Sequence, residues 1–336
     1  MPPAGPRGTA GGARLTAAAT GGGPGTDPGF RCAAASVLRD EVVGGTASTV
    51  RAWILLECPG PWGVDALRDA RLPEGLGALL RRRTAETGVR FVLVRRPGAR
   101  RLEADPWVFA AYADPHRPRL EGGQVTDLRQ VLDLDLTGLR AGRPSGLPAY
   151  DGSLLAVCTH GRHDACCAER GRPVARALAQ AHPDETWEVS HVGGDRFAAN
   201  MVVLPHGLYY GRLEPRSALA VAAAHASGRL DLDHLRGRSG YPMPVQAAEI
   251  ALRRRLEETG LDSVRLRRRT VADTGGDTGE DVGEGRVTRV EMEVAGATYA
   301  VRVRTTSGPD AAQLTCRASR ENPLPHHQLL DVRRLD

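Results

Sequence analysis

At 336 residues the chain can bury more than one core, and 41% hydrophobic with 25% charged residues is the balance of a globular protein in water. The formal charge of +5 rests on 45 basic residues, all arginine, which reads as coding bias, and with aromatics at 4% no basic face interleaved with rings emerges, so nucleic acid is not the expected partner. No apolar run nears the roughly 20 residues that span a bilayer. Six cysteines are too few for a disulfide scaffold in a chain this long, so a reducing, cytoplasmic setting and a metal or redox role for the cysteines are expected.

Residues 1–30, rich in Gly, Ala, Pro and Thr and without a signal peptide's apolar core, read as a disordered tail. Residues 31–148 read as an α/β unit. A short helix is expected over Ala33–Asp40, and a buried strand over Arg51–Glu57 that ends at Cys58-Pro59-Gly60-Pro61. A helix interrupted at Pro73 covers Asp65–Thr87, and strands follow at Phe91–Val94 and Trp107–Tyr112. Pro115–Pro148 reads as a polar connector closing this unit.

A second unit, 149–236, opens with the strand Leu154–Val157 leading into Cys158. Pro173 suits the first turn of a helix that reaches His182. Trp187–Val189 is strand-like, Met201–Leu204 and Leu208–Tyr210 flank the turn Pro205-His206-Gly207, and Ser217–Ser227 is helical. The order β–loop–α–β–loop–β–β–α is that of a thioredoxin-like domain, and the first unit repeats part of it, a hint of two related halves. Residues 237–336 form an α+β appendage: a helix over Val245–Thr259, an acidic glycine-rich loop over 274–285, and antiparallel strands at Val287–Val294, Thr298–Arg304 and Gln313–Arg317.

The chemistry concentrates between Cys158 and Asn200. Cys158-Thr-His-Gly-Arg-His-Asp-Ala-Cys166-Cys167 offers three thiols and the imidazoles of His160 and His163. His191-Val-Gly193-Gly194-Asp195 adds an imidazole and a carboxylate across a glycine pair, which lets backbone approach a ligand and leaves amides free to bind it. Thiolate and imidazole donors together suit zinc or an iron–sulfur cluster. Asp164 reads as a carboxylate that fixes the loop by receiving its amides. Cys32, Cys58 and Cys316 read as small buried hydrophobes, His160 and His163 as supporting donors, and Trp187, Phe197, Tyr209 and Tyr210 as core.

The patterns C-T-H-G-x-x-D-x-x-C over Cys158–Cys167 and H-x-G-G-x-x-F-A-x-N over His191–Asn200 resemble the sucrase/ferredoxin-like family of thioredoxin-fold [2Fe–2S] proteins. Leu204-Pro-His-Gly-Leu-Tyr-Tyr-Gly211 and Glu57-Cys-Pro-Gly-Pro-Trp-Gly63 resemble its bacterial members. The resemblance covers roughly Cys32–Arg212. It implies a thioredoxin-like ferredoxin domain, preceded by a smaller α/β unit and followed by the α+β appendage, with a [2Fe–2S] cluster serving electron transfer to or from a redox partner protein. The family's fungal two-cysteine, two-histidine ligation maps onto Cys158, Cys167, His191 and the position of Asp195. Aspartate there departs from that pattern, and Cys166 or His206 are the alternatives for the fourth ligand. Two histidines on one iron raise the potential to roughly −150 to +300 mV, against about −400 mV for all-thiolate ligation, so an aspartate in place of one of them implies an intermediate value.

Two further readings compete. A thiol oxidoreductase would use Cys166 or Cys167 as nucleophile, but the C-x-x-C spacing is missing. A structural zinc site would be satisfied by the same donors. Neither a G-x-G-x-x-G fingerprint after a strand nor a P-loop occurs, and no carboxylate pair marks a glycosidase.

Overall fold

The structure is a computed structural model that describes residues 29–273 and 285–335. The expected tail up to residue 28 and the acidic loop 274–284 lie outside the described residues. A short helix α1 (Cys32–Leu38) precedes the first half of the main sheet: β1 (Ala52–Glu57), α2 (Ala66–Asp69), α3 (Leu76–Thr87), β2 (Arg90–Arg95), β3 (Trp107–Tyr112), β4 (Arg119–Gln124) and α4 (Leu136–Arg140). The second half is β5 (Leu154–Cys158), α5 (Ala165–Ala181), β6 (Thr186–Val189), β7 (Met201–Leu204), β8 (Leu208–Tyr210), α6 (Pro215–Ala226) and β9 (Leu235–Arg238). Then follow α7 (Met243–Leu256) and the strands β10 (Val264–Asp273), β11 (Arg286–Val294), β12 (Ala297–Ala312) and β13 (Asn322–Arg334).

Strands β1 to β9 form one mixed sheet in the order β4-β3-β1-β2-β6-β5-β7-β8-β9. Within it β1 and β2 run parallel, as do β5 and β6, and every other neighbouring pair is antiparallel. The halves therefore share a plan. The order 4-3-1-2 of the first returns as 8-7-5-6 in the second, and the two meet where β2 and β6 pair at Val94–Val189. The hint of related halves thus has a topological counterpart.

Both faces of the central strands are covered, which is why β1 and β5 are continuous apolar runs rather than alternating ones. Trp53 and Leu55 pack on one side with Ala156, Trp187 and Val189, while Ile54 and Leu56 face Leu76, Leu80 and Leu139. On β5, Leu155 and Val157 meet Val174 and Leu178 of α5. Burying each such aliphatic side chain contributes roughly 1.5–3 kcal/mol, so α5 is held firmly against the strand that ends at Cys158. The antiparallel sheet β10-β11-β12-β13 packs its own core of Val290, Met292, Val301 and Val303 against Val245 and Leu252 of α7.

Several expectations need correction. Helix α5 begins at Ala165, eight residues before Pro173, because the Asp164 side chain accepts from the Cys166 amide at 2.9 Å and caps it; Pro173 sits inside the helix. Strand β4 lies within the expected connector. There the buried Glu121 carboxylate takes the Ser145 amide and hydroxyl at 2.8 and 2.6 Å, and Phe109 packs where a side chain at 122 would stand. Residues 313–317 are not a strand but part of the connection between β12 and β13, two strands that run beyond the expected lengths.

Candidate metal centre

The end of β5 is fastened on both sides: the Cys158 amide donates to Asn200 O at 2.9 Å and the Thr159 amide to Val189 O at 3.2 Å. The loop then turns back on itself, with the His163 and Asp164 amides both donating to His160 O. Asp164 starts α5 at once, so Cys166 and Cys167 return to the strand end. A Cβ at Gly171, one turn further along the helix, would collide with the Cys158 carbonyl, so glycine is what permits this approach.

At that point four donors meet. The Cys158 and Cys167 thiols share a hydrogen bond. Cys167 Sγ lies 3.2 Å from Asp195 Oδ1, and His191 Nδ1 lies 2.9 Å from the same oxygen. His163 approaches from outside, its Nε2 at 3.6 Å from Asp195 Oδ2 and its ring centroid 3.8 Å from that of His191. Cys158, Cys167 and Asp195 are each 1% exposed, whereas the His191 side chain keeps 30% of its surface.

The electrostatics of the four are coupled. Burial would push the Asp195 carboxyl up, but the His191 imidazole outweighs it and holds the group below the usual carboxylate range. Burial likewise works against charge on His191, and Asp195 overcomes it, so the imidazole stays above its ordinary value. The hydrogen bond from Cys167 favours a thiolate at Cys158 despite burial, and Cys167 is correspondingly pushed up as the partner that keeps the proton. His191 Nδ1 and Asp195 Oδ2, although in close contact with their neighbours, have no partner in hydrogen-bond alignment. His163, His191 and Asp195 each bring one donor atom within 4.8 Å of the others, and the Cys167 and Cys158 sulfurs adjoin Asp195 in a chain of contacts, donor types that fit a metal or iron–sulfur site.

The ligand loop is held from below. Gly193 and Gly194 have φ of +99° and +79°, a region that favours glycine, and the space left by their missing side chains is filled by Ser48 and the Arg236 guanidinium. Arg236 is buried and donates to Gly193 O at 2.9 Å, Asn200 Oδ1 at 2.8 Å and Thr46 O at 2.6 Å; burial depresses its pKa to about 10. Arg90 donates to His191 O, and His160 Nδ1 accepts from the His191 amide while its Nε2 faces Gly63 O at 2.9 Å. That pairing fixes the Nε2–H tautomer of His160, whose pKa burial lowers to about 4. His160 is thus the supporting residue the sequence suggested. Arg236 was not legible, because an arginine in a strand ordinarily reads as surface.

The alternatives for the fourth donor lie elsewhere. Successive helical residues point about 100° apart, so Cys166 faces away from Cys167. Its sulfur lies 3.4 Å from Cys316 Sγ, which is 3.6 Å from Cys32 Sγ. Cys32 and Cys316, expected as isolated hydrophobes, are therefore neighbours across the whole chain. Asp164 joins them: besides capping α5 it accepts the Cys316 amide at 2.6 Å, and burial raises its pKa to about 6. His206 stands beyond the far end of β7, where Leu204 pairs with Leu154, three residues or about 10 Å from Met201 beside Val157. Its ring packs on His225 at 5.0 Å. Cys58 does lie apart from the other thiols, buried among apolar side chains.

Residues 43–237, more than half of the chain, match the family model described as Sucrase/ferredoxin-like. The chain belongs to this family. The match takes in Cys158, Cys167, His191, Asp195 and Arg236, and stops before α7 and the second sheet. No curated protein and no solved structure matches the chain. No helix among the described residues is long and apolar enough to cross a membrane.

Proposed function

We propose that this sucrase/ferredoxin-like protein is a one-electron carrier whose [2Fe–2S] cluster is held by Cys158, Cys167, His191 and Asp195 in a thioredoxin-like fold. The observation that carries the proposal is the meeting of these four donors at the end of β5, three of them buried and His191 at the surface. When bound, the cluster supplies a site that accepts and returns single electrons. The chain's own groups do the rest. The His160 amide and the Cys167 thiol both hydrogen-bond the Cys158 sulfur and favour its thiolate. Asp195 orients His191, and Arg236 and Asn200 fix the loop that carries both.

A redox partner would meet the centre at its one open side. A cleft of about 440 Å³ lined by Val64, Arg68, Arg90, His163 and His191 exposes the imidazole edge. The arginines there favour an acidic partner surface. The same donor types also suit a single tetrahedral zinc ion. Anaerobically purified protein assayed for iron, acid-labile sulfide and zinc, with electron paramagnetic resonance before and after dithionite, separates the readings. About two irons and two sulfides per chain with a signal on reduction is the expected result. A colourless, zinc-loaded Cys158 site would overturn it.

A further inference from the structure

We infer that Cys32, Cys166, Cys316 and Asp164 form a second, separate metal site, which takes one tetrahedral zinc ion and ties the two ends of the chain to the start of α5. A zinc ion with Zn–S bonds of about 2.3 Å in tetrahedral geometry sets neighbouring sulfurs about 3.7 Å apart. Here Cys166 and Cys316 are 3.4 Å apart, Cys316 and Cys32 3.6 Å, and Asp164 carboxylate oxygens lie 3.2 Å from Cys316 Sγ and 3.5 Å from Cys32 Sγ. One donor atom from each of the four residues falls within 4.8 Å of all the others. The sulfur separations are also well beyond a disulfide bond of about 2.05 Å, and all three cysteines are free.

A small apolar cluster would explain the buried Cys32 and Cys166 and the half-buried Cys316 but not Asp164. That carboxylate is fully buried, and among the described residues no arginine or histidine forms an ion pair with it. A buried, unpaired carboxylate ringed by thiols is costly unless a cation balances it. The supports are those of a ligand set: the Cys166 and Cys316 amides donate to the two Asp164 oxygens, and the Ala33 amide donates to the Cys166 sulfur. The positive end of the 17-residue α5 adds to the compensation of the anionic donors. Three thiolates select zinc over magnesium or calcium. The ligands come from α1, the cap and first turn of α5, and the β12–β13 connection, with Cys32 and Cys316 284 positions apart. Vicinal Cys166 and Cys167 thereby serve two different centres.

The test is elemental analysis of the full chain expressed with both iron and zinc, alongside Cys316→Ser and Cys32→Ala. Expected is about one zinc per wild-type chain, lost from both variants while iron, sulfide and the reduced-state signal remain. Cobalt added to the chelator-stripped wild type should give a thiolate-to-cobalt charge-transfer band that is weaker in both variants, by the share of the Cys32–Cys166–Cys316 thiolates. Zinc missing from the wild type, a zinc count per chain that falls in neither variant, iron lost with Cys316→Ser, or a Cys166–Cys316 disulfide in the mass spectrum would each overturn the inference. Should one variant fail to fold, the other carries the same reading. Failure of iron to bind at Cys158 would refute the electron-carrier reading alone, since the zinc count and its dependence on Cys316 are read separately.

Discussion

The two halves of the main sheet follow one plan and differ in what happens after the central strand. In the first half β1 leads into Cys58, whose amide donates to Val94 O; in the second β5 ends at Cys158, and the amide after it donates to Val189 O. Both cysteines thus occupy the end of a strand beside its parallel neighbour. After Cys58 the chain continues through Pro59-Gly60-Pro61, Trp62 donates its indole N–H back to Cys58 O at 2.7 Å, and Asp65 caps a helix of only four residues. The thiol sits among apolar side chains with the Arg71 carbonyl at 4.0 Å, no second thiol or imidazole adjoins it among the described residues, and burial pushes it up to about 11. After Cys158 a shorter loop ends at Asp164, and α5 at once presents two cysteines and, through its approach at Gly171, a closed site. Shared topology supplies a strand end in each half; loop length and the position of the helix cap decide which end gathers donors.

The largest effect should come from breaking the donor side of this contrast. Cys158→Ala or Cys167→Ala is expected to abolish iron and sulfide binding, whereas Cys58→Ala in the corresponding place leaves both unchanged; iron assays on the three variants check this. Asp195→Ala should likewise lose the centre. Asp195→His should retain it at a higher potential, since imidazole replaces an anionic oxygen donor, and a redox titration followed by electron paramagnetic resonance would show the shift.

Next in size is the support beneath the ligand loop. Arg236→Met removes the donors to Gly193, Asn200 and Thr46, and unmaking buried charged hydrogen bonds should cost roughly 3 kcal/mol, read from urea unfolding of the iron-free protein. A comparable limit applies to acid stability. The β7–β8 turn half-buries His206, whose pKa desolvation lowers from 6.5 to about 4. The folded state holds His206 neutral, so stability is intact above pH 6.5 and falls as the pH drops toward 4. The full loss is about 3 kcal/mol. His206→Asn should flatten that limb of the stability curve. The smallest effect is Cys58→Ala itself, a core truncation costing roughly 1 kcal/mol.

Much of this was legible in the chain. The apolar runs at 52–57 and 154–157 marked the central strands, because a strand covered on both faces has no reason to alternate. The spacing from Cys158 to Cys167 and from His191 to Asp195 marked the donors, since few other roles explain thiols, imidazole and carboxylate beside paired glycines. The start of α5 was misplaced because proline is a familiar first-turn residue, while a single aspartate before two cysteines is a weaker signal than the cap it makes. Strand β4 was hidden by Glu121-Gly122-Gly123, whose buried hydrogen bonds to Ser145 exist only once the chain has folded.

By itself the sequence determined the family patterns, the α/β alternation and the residues that carry chemistry, all of which depend on local periodicity and residue type. Tertiary structure alone decided which thiols meet. Cys166 and Cys167 are chemically alike and adjacent, yet the turn of one helix sends them to opposite sides. Cys32 and Cys316 become neighbours only because α1 and the β12–β13 connection converge on the Asp164 cap, a juxtaposition of segments 284 residues apart that no local pattern encodes.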